Sequence, residues 1–127
     1  MRRIAPILAL ALLPATALAD PSMECPGGSQ IEIGACVSAM LVGVDGAVEQ
    51  ALGFARDSAV ELDRVTGRAV ALPALEASQT AWAAYRDAQC DLVGAGFGGG
   101  TGTGIAITGC RVEMGRARVA ELLDAAR

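Results

Sequence analysis

The hydrophobic positions of this chain recur every three or four residues along most of its length, the spacing of helices that bury one face. From about Gln30 to Arg64, Ile33, Val37, Met40 with Leu41, Val44, Val48, Leu52, Ala55, Ala59 and Leu62 form a single stripe. Ser29 stands where an N-cap belongs, and Glu32, three residues on, completes a capping box. Gly34, Gly43, Gly46 and Gly53 interrupt the pattern, each costing about 1 kcal/mol relative to alanine in a helix interior. This helix therefore depends on packing, and Gly43 to Gly46 is where a kink or break is expected. Thr66-Gly67 is its stop, and Val65 to Leu72 the link to the next helix. That second, alanine-rich helix is expected from about Pro73 to Val93, with Leu75, Trp82 and Tyr85 at helical spacing and Glu76 near the positive end of its dipole. Glycine dominates Gly94 to Gly104, and Ile105 to Thr108 reads either as extended or as a first helical turn. A third helix is expected from about Cys110 to Ala125, with Cys110, Met114, Ala117 or Arg118, and Leu122 on one face. Nothing reads as a strand. The pattern predicts an all-α fold, a small disulfide-linked domain of one long helix plus an α-hairpin.

The ends of the chain qualify that picture. Arg2 and Arg3, the apolar run Ile4 to Leu13, and Ala17-Leu18-Ala19 before Asp20 have the layout of a secretory signal peptide, residues 1–19. The run is too short to span a bilayer and Pro6 and Pro14 interrupt it, so no stable membrane anchor is expected. A single domain, 20–127, is expected after cleavage, opening on the irregular stretch Asp20 to Ser29. Without Arg2 and Arg3 the formal charge falls from -4 to -6, which argues against nucleic acid and suits either basic partners or simple solubility. The four cysteines, Cys25, Cys36, Cys90 and Cys110, read as two disulfides of an exported protein. With no Cys-x2-Cys pair and no histidine, they do not read as a metal site. Cys90 near the end of the second helix and Cys110 at the start of the third would meet across a hairpin, and Cys25 can fold back onto Cys36. That local pairing is the expected one, closure of the Cys90–Cys110 loop being worth about 3 kcal/mol; crossed pairing stays open if Cys36 faces the second helix. Gly94, Gly96 and Gly99 match a dinucleotide fingerprint, but the match comes after a helix and no strand, so it reads as a linker and no cofactor is expected.

The second helix carries the chain's one Trp and one Tyr in a fixed arrangement. Leu75, Gln79, Trp82, Tyr85-Arg86-Asp87 and Cys90 spell L-x3-Q-x2-W-x2-Y-R-D-x2-C. That pattern resembles the LprI-type lysozyme inhibitors, a family of exported bacterial proteins long catalogued only as a domain of unknown function. The resemblance extends to Cys110 opening the last helix, to Arg118 and Leu122 further along it, and in the first half to Cys25, Cys36 and Asp45. It departs at Val48-Glu49 and Leu52, where the family has Leu-Asn and an aromatic, and its glycine run is longer. The resemblance implies a small, disulfide-linked helical protein of the envelope, periplasmic or secreted, whose partner is a lysozyme.

The residues themselves allow less chemistry than that name suggests. Trp82 and Tyr85 are expected in the core, since aromatics dominate burial in a small domain. Arg86, Asp87 and Arg118 either pair across the hairpin or lie in solvent, and Gln79 is expected to serve backbone groups at a helix end. An enzyme is not expected: there is no histidine to act as base, oxidised cysteines are not nucleophiles, and Asp57 with Glu61 is a solvated helix face. Two readings remain. An inhibitor of a basic lysozyme would use the uncharged glycine loop, with Phe97, Thr101 and Thr103 as candidate contacts on the ground of their exposure. A structural or interaction module of the envelope would need no such contact.

Overall fold

The computed structural model describes residues 20–127; the expected signal peptide, residues 1–19, lies outside the described residues. A 3-10 turn at Pro21–Glu24 precedes three helices, α1 (Gln30–Thr66), α2 (Ala71–Ala95) and α3 (Thr103–Ala125), with no strand among the described residues. α2 runs back along α1, so that Arg56 meets Glu76 and Asp45 meets Arg86. α3 reverses again and lies parallel to α1, Gly34 beside Ile105 at one end and Ser58 beside Ala126 at the other.

The stripe on α1 is the reason for this arrangement. Val48, Ala51, Leu52 and Ala55 bury against Leu122, with Val44, Leu75, Trp82 and Val119 closing around them. Nearer the N-terminus, Val37 and Val112 are fully buried with Cys25, flanked by Ile33, Met40, Leu41 and Ile105. Leu62 drops out of the stripe and is 52% exposed, because the bundle has thinned by that turn. The helices approach closely at two glycines. A Cβ on Gly115 of α3 would overlap Val44 Cγ1, and one on Gly94 of α2 would lie 2.5 Å from Ile107 Cγ1. Gly115→Ala is therefore expected to destabilise by about 1–2 kcal/mol, the overpacking strain exceeding the gain in helix propensity. Gly43→Ala, where a Cβ meets nothing within 4 Å, should stabilise by up to about 1 kcal/mol. Urea denaturation of the two variants checks both signs.

Several boundaries differ from the sequence pattern. α1 runs unbroken through Gly43 to Gly46, because its stripe is held on both sides of those glycines by α3. The capping box at Ser29 and Glu32 is present and Gly67 closes the helix in a left-handed conformation, φ 65°. α3 begins at Thr103, seven residues before Cys110, because Ile105 packs on α1 and Ile107 on Gly94. The glycine run is thus divided: Gly94 is buried in α2, Gly104 belongs to α3, and only residues 96–102 form an open loop. Thr103 is accordingly half-buried on a helix and does not share the loop's exposure.

The start of α2 is capped from a distance. Val70 offers no side-chain cap, and the carboxylate of Asp63 on α1 instead accepts from the amides of Val70, Ala71 and Leu72 at 2.8–3.1 Å. The Ala71 amide foremost, then those of Leu72 and Val70, hold this carboxyl below its ordinary range against the opposing effect of desolvation. A depressed folded-state value contributes stability above the unfolded value, near 4, which is lost as pH falls through the folded one. Asp63→Ala is expected to lower the melting temperature at pH 7, the gap between wild type and variant closing as the pH falls through the folded-state value of this carboxyl. Thermal melts across an acid pH series test this.

Candidate functional site

The motif residues of α2 meet two arginines around Trp82. The Arg86 guanidinium lies 4.8 Å from the ring centroid and that of Arg118, from α3, 5.7 Å. Arg118 is buried, 8% exposed, and spends its donors across the interface: Nε to Gln79, Nη2 to Ser78, and Nη1 to Glu121 one turn on. Gln79 therefore serves this guanidinium and not a helix end. Arg86 reaches the other way, its Nη1 donating to Asp45 of α1 at 2.8 Å. Asp87 faces Arg111 of α3 at 3.4 Å. The arrangement joins three helices around one indole. Its ring is half-buried against the core, while Tyr85 is 59% exposed and not a core residue. Tyr85 is exposed because the inward stripe of α2 runs through Leu75, Gln79, Trp82, Arg86 and Cys90, and Tyr85 lies to one side of it.

Sequence spacing alone could suggest that Arg86, Asp87 and Arg118 pair with one another across the hairpin. The two arginines find other partners, since Arg86 turns to α1 and Arg118 binds uncharged groups on α2. Glu76, expected at the helix dipole, pairs instead with Arg56 at 2.6 Å, an ion pair that holds its carboxyl below the usual range. Of Ala117 and Arg118, the arginine is the one turned inward.

Both disulfides have local pairing, Cys25–Cys36 and Cys90–Cys110, with Cα separations of 5.9 and 5.5 Å. Each has a methionine against it: Met40 Sδ is 3.7 Å from Cys25 Sγ, and Met114 Sδ 3.7 Å from Cys90 Sγ. Half-cystines carry no thiol proton, so these are packing contacts of polarizable sulfur.

The Cys90–Cys110 bridge anchors the base of the 96–102 loop. Gly98 and Gly99 take φ of 63° and 82°, conformations that suit glycine. Phe97 and Thr101 are exposed, and a hollow of about 190 Å³ beside them is lined by Gln30, Ile33, Phe97 and Ile105. This end of the bundle is the acidic one. It carries Asp20, Glu24, Glu32, Asp87, Asp91 and Glu113 against Arg111 and Arg116, a net -4 of the described residues' -6. Burial first, then the neighbouring Asp20 carboxylate, pushes Glu113 above its ordinary range, while the Arg116 side chain donates to Glu24 and pulls it below. The described residues hold no cluster of metal-ligating side chains.

Residues 23–122 match the family described as Lysozyme inhibitor LprI. The chain belongs to that family. It is also 34% identical over a 133-residue alignment to an uncharacterised protein of Rhizobium meliloti (strain 1021), covering 98% of this chain and 95% of that one. No solved structure matches. Of the residues that carry the LprI resemblance, Leu75, Gln79, Trp82, Arg86 and Cys90 with Asp45, Cys110, Arg118 and Leu122 make contacts between helices in this protein, while Tyr85 is exposed.

Proposed function

We propose that this protein is an exported inhibitor that binds a basic lysozyme and blocks its cleft. The family match over residues 23–122 is the observation that carries this reading. Two disulfides fit a protein that works in an oxidising compartment, periplasmic or extracellular. The acidic loop end supports attraction to a cationic enzyme, and the uncharged, disulfide-anchored loop bearing Phe97 and Thr101 is the projection suited to enter a cleft. Thr103, fixed on α3, is left out of the proposed contact. The protein works by occupation and performs no catalysis of its own.

Muramidase assays with the oxidised protein test this directly. Wild type should inhibit a chicken-type lysozyme, more weakly as salt shortens the Debye length to about 8 Å at physiological ionic strength. Phe97→Ala/Thr101→Ala should inhibit about tenfold less, the loss expected when an aromatic anchor is truncated. No inhibition at low salt and large excess would overturn the proposal. The second reading, a structural module of the envelope, is favoured by one observation: Trp82, Arg86 and Arg118 are engaged within the bundle.

A further inference from the structure

α1 and α2 part around the Trp82 stack and leave an open cleft of about 380 Å³. Asp45, Gly46 and Glu49 line it from α1, and Gln79, Trp82 and Arg86 from α2. Its α1 wall is cut down at Gly46, where a Cβ would meet nothing within 4 Å, so no packing inside the chain calls for glycine there. Glycine weakens a helix at such a position, and its one structural consequence is room in the cleft.

The charges around that room are unbalanced. Asp45 and Glu49 stand four residues apart on one face of α1, where like charges repel. Arg86 offsets Asp45 through Nη1 and lies over Trp82, while its Nε is buried without a hydrogen-bond partner. Glu49 is exposed and makes no ion pair within 4 Å among the described residues; Arg56, whose charge it feels, is paired with Glu76 at 2.6 Å. Gln79 already accepts from Arg118. What the cleft offers a visitor is an apolar floor at Trp82, the exposed Glu49 carboxylate at its rim and Asp45 Oδ2, the oxygen that Arg86 does not use.

We propose that this cleft receives a basic side chain, arginine or lysine, projecting from a cationic protein partner. The methylene stem would lie along the indole edge and the charged head would bind Glu49 and Asp45, relieving their repulsion. That the partner is a basic lysozyme rests on the inhibitor reading; the preference for a cationic side chain does not. Arg86 is ten residues before the loop at Gly96, about 15 Å along α2, so one partner surface can meet both.

Trp82 is the only tryptophan, so its fluorescence reports the cleft. Titration of the oxidised protein with a capped tri-arginine peptide at low salt should change Trp82 emission saturably, and a tri-glutamate peptide should not. Gly46→Leu, whose Cβ would meet nothing within 4 Å and whose side chain would project into the cleft, should abolish the response while circular dichroism stays helical. Glu49→Gln should weaken it about tenfold, as loss of a charge-assisted contact does. Asp57→Asn, an exposed-side carboxylate on α1 outside the cleft, should leave it unchanged. A folded Gly46→Leu variant that responds like wild type, or equal losses for Glu49→Gln and Asp57→Asn, would overturn the proposal. With lysozyme, Gly46→Leu should inhibit about tenfold less than wild type; inhibition equal to wild type would remove lysozyme as the cleft's occupant. A normal peptide response with no inhibition by wild type would sink the inhibitor reading and leave the cleft assignment standing.

Discussion

Reduction of both disulfides is expected to unfold this protein at ambient temperature. The bridges close loops with sequence separations of 11 and 20. In the chain-entropy account each restricts the unfolded chain by about 3 kcal/mol, so losing both removes about 6. A domain of this size has a total of roughly 5–15 kcal/mol. The core that would have to compensate is small: Val37, Val48, Leu52, Val112 and Leu122 are the large aliphatic side chains buried in it, with alanine filling much of the rest. Far-ultraviolet circular dichroism with and without reductant measures the effect. The double variants Cys25→Ala/Cys36→Ala and Cys90→Ala/Cys110→Ala should each lose about 3 kcal/mol in urea denaturation. Retention of the full helical signal and of the oxidised midpoint after reduction would show that helix packing alone suffices.

Arg118→Ala should be the most damaging substitution of a charged residue, at about 2–3 kcal/mol. The guanidinium makes three hydrogen bonds, and those to charged groups contribute more than neutral ones. Ser78 and Glu121 can turn to water once it is gone, whereas Gln79 is half-buried and loses its partner beside the core. The indole of Trp82 loses the cation beside its ring and the stem packed near it. Arg118→Lys keeps the charge but not the planar fork that reaches Gln79 and Ser78 together, so it should recover less than half of the loss. Urea denaturation followed by Trp82 emission reads both stability and the local change. A near-neutral Arg118→Ala would mean that the bundle is held by its apolar stripe alone.

Much of the helical framework was legible along the chain. The stripe from Ile33 to Ala59, the capping box at Ser29 and Glu32, and the stop at Gly67 involve residues a few positions apart, and such interactions repeat in any helix whatever packs against it. Cys90 and Cys110 were placed by the same logic, at facing ends of one hairpin. Other features needed the neighbours to be known. Local glycine content argued for a loop up to Gly104, but burial of Ile105 and Ile107 against the other helices draws α3 back to Thr103. Trp82 and Tyr85 look equivalent in sequence, and only the position of α1 and α3 turns one inward and leaves the other in solvent. The cap that Asp63 places on α2, the reach of Arg86 to Asp45 and of Arg118 to Gln79, and the cleft beside Gly46 all join residues on different helices. Periodicity says which face of a helix is buried; it does not say against what. That choice belongs to tertiary packing, because long side chains find their partners only after the apolar stripes have set the helices side by side.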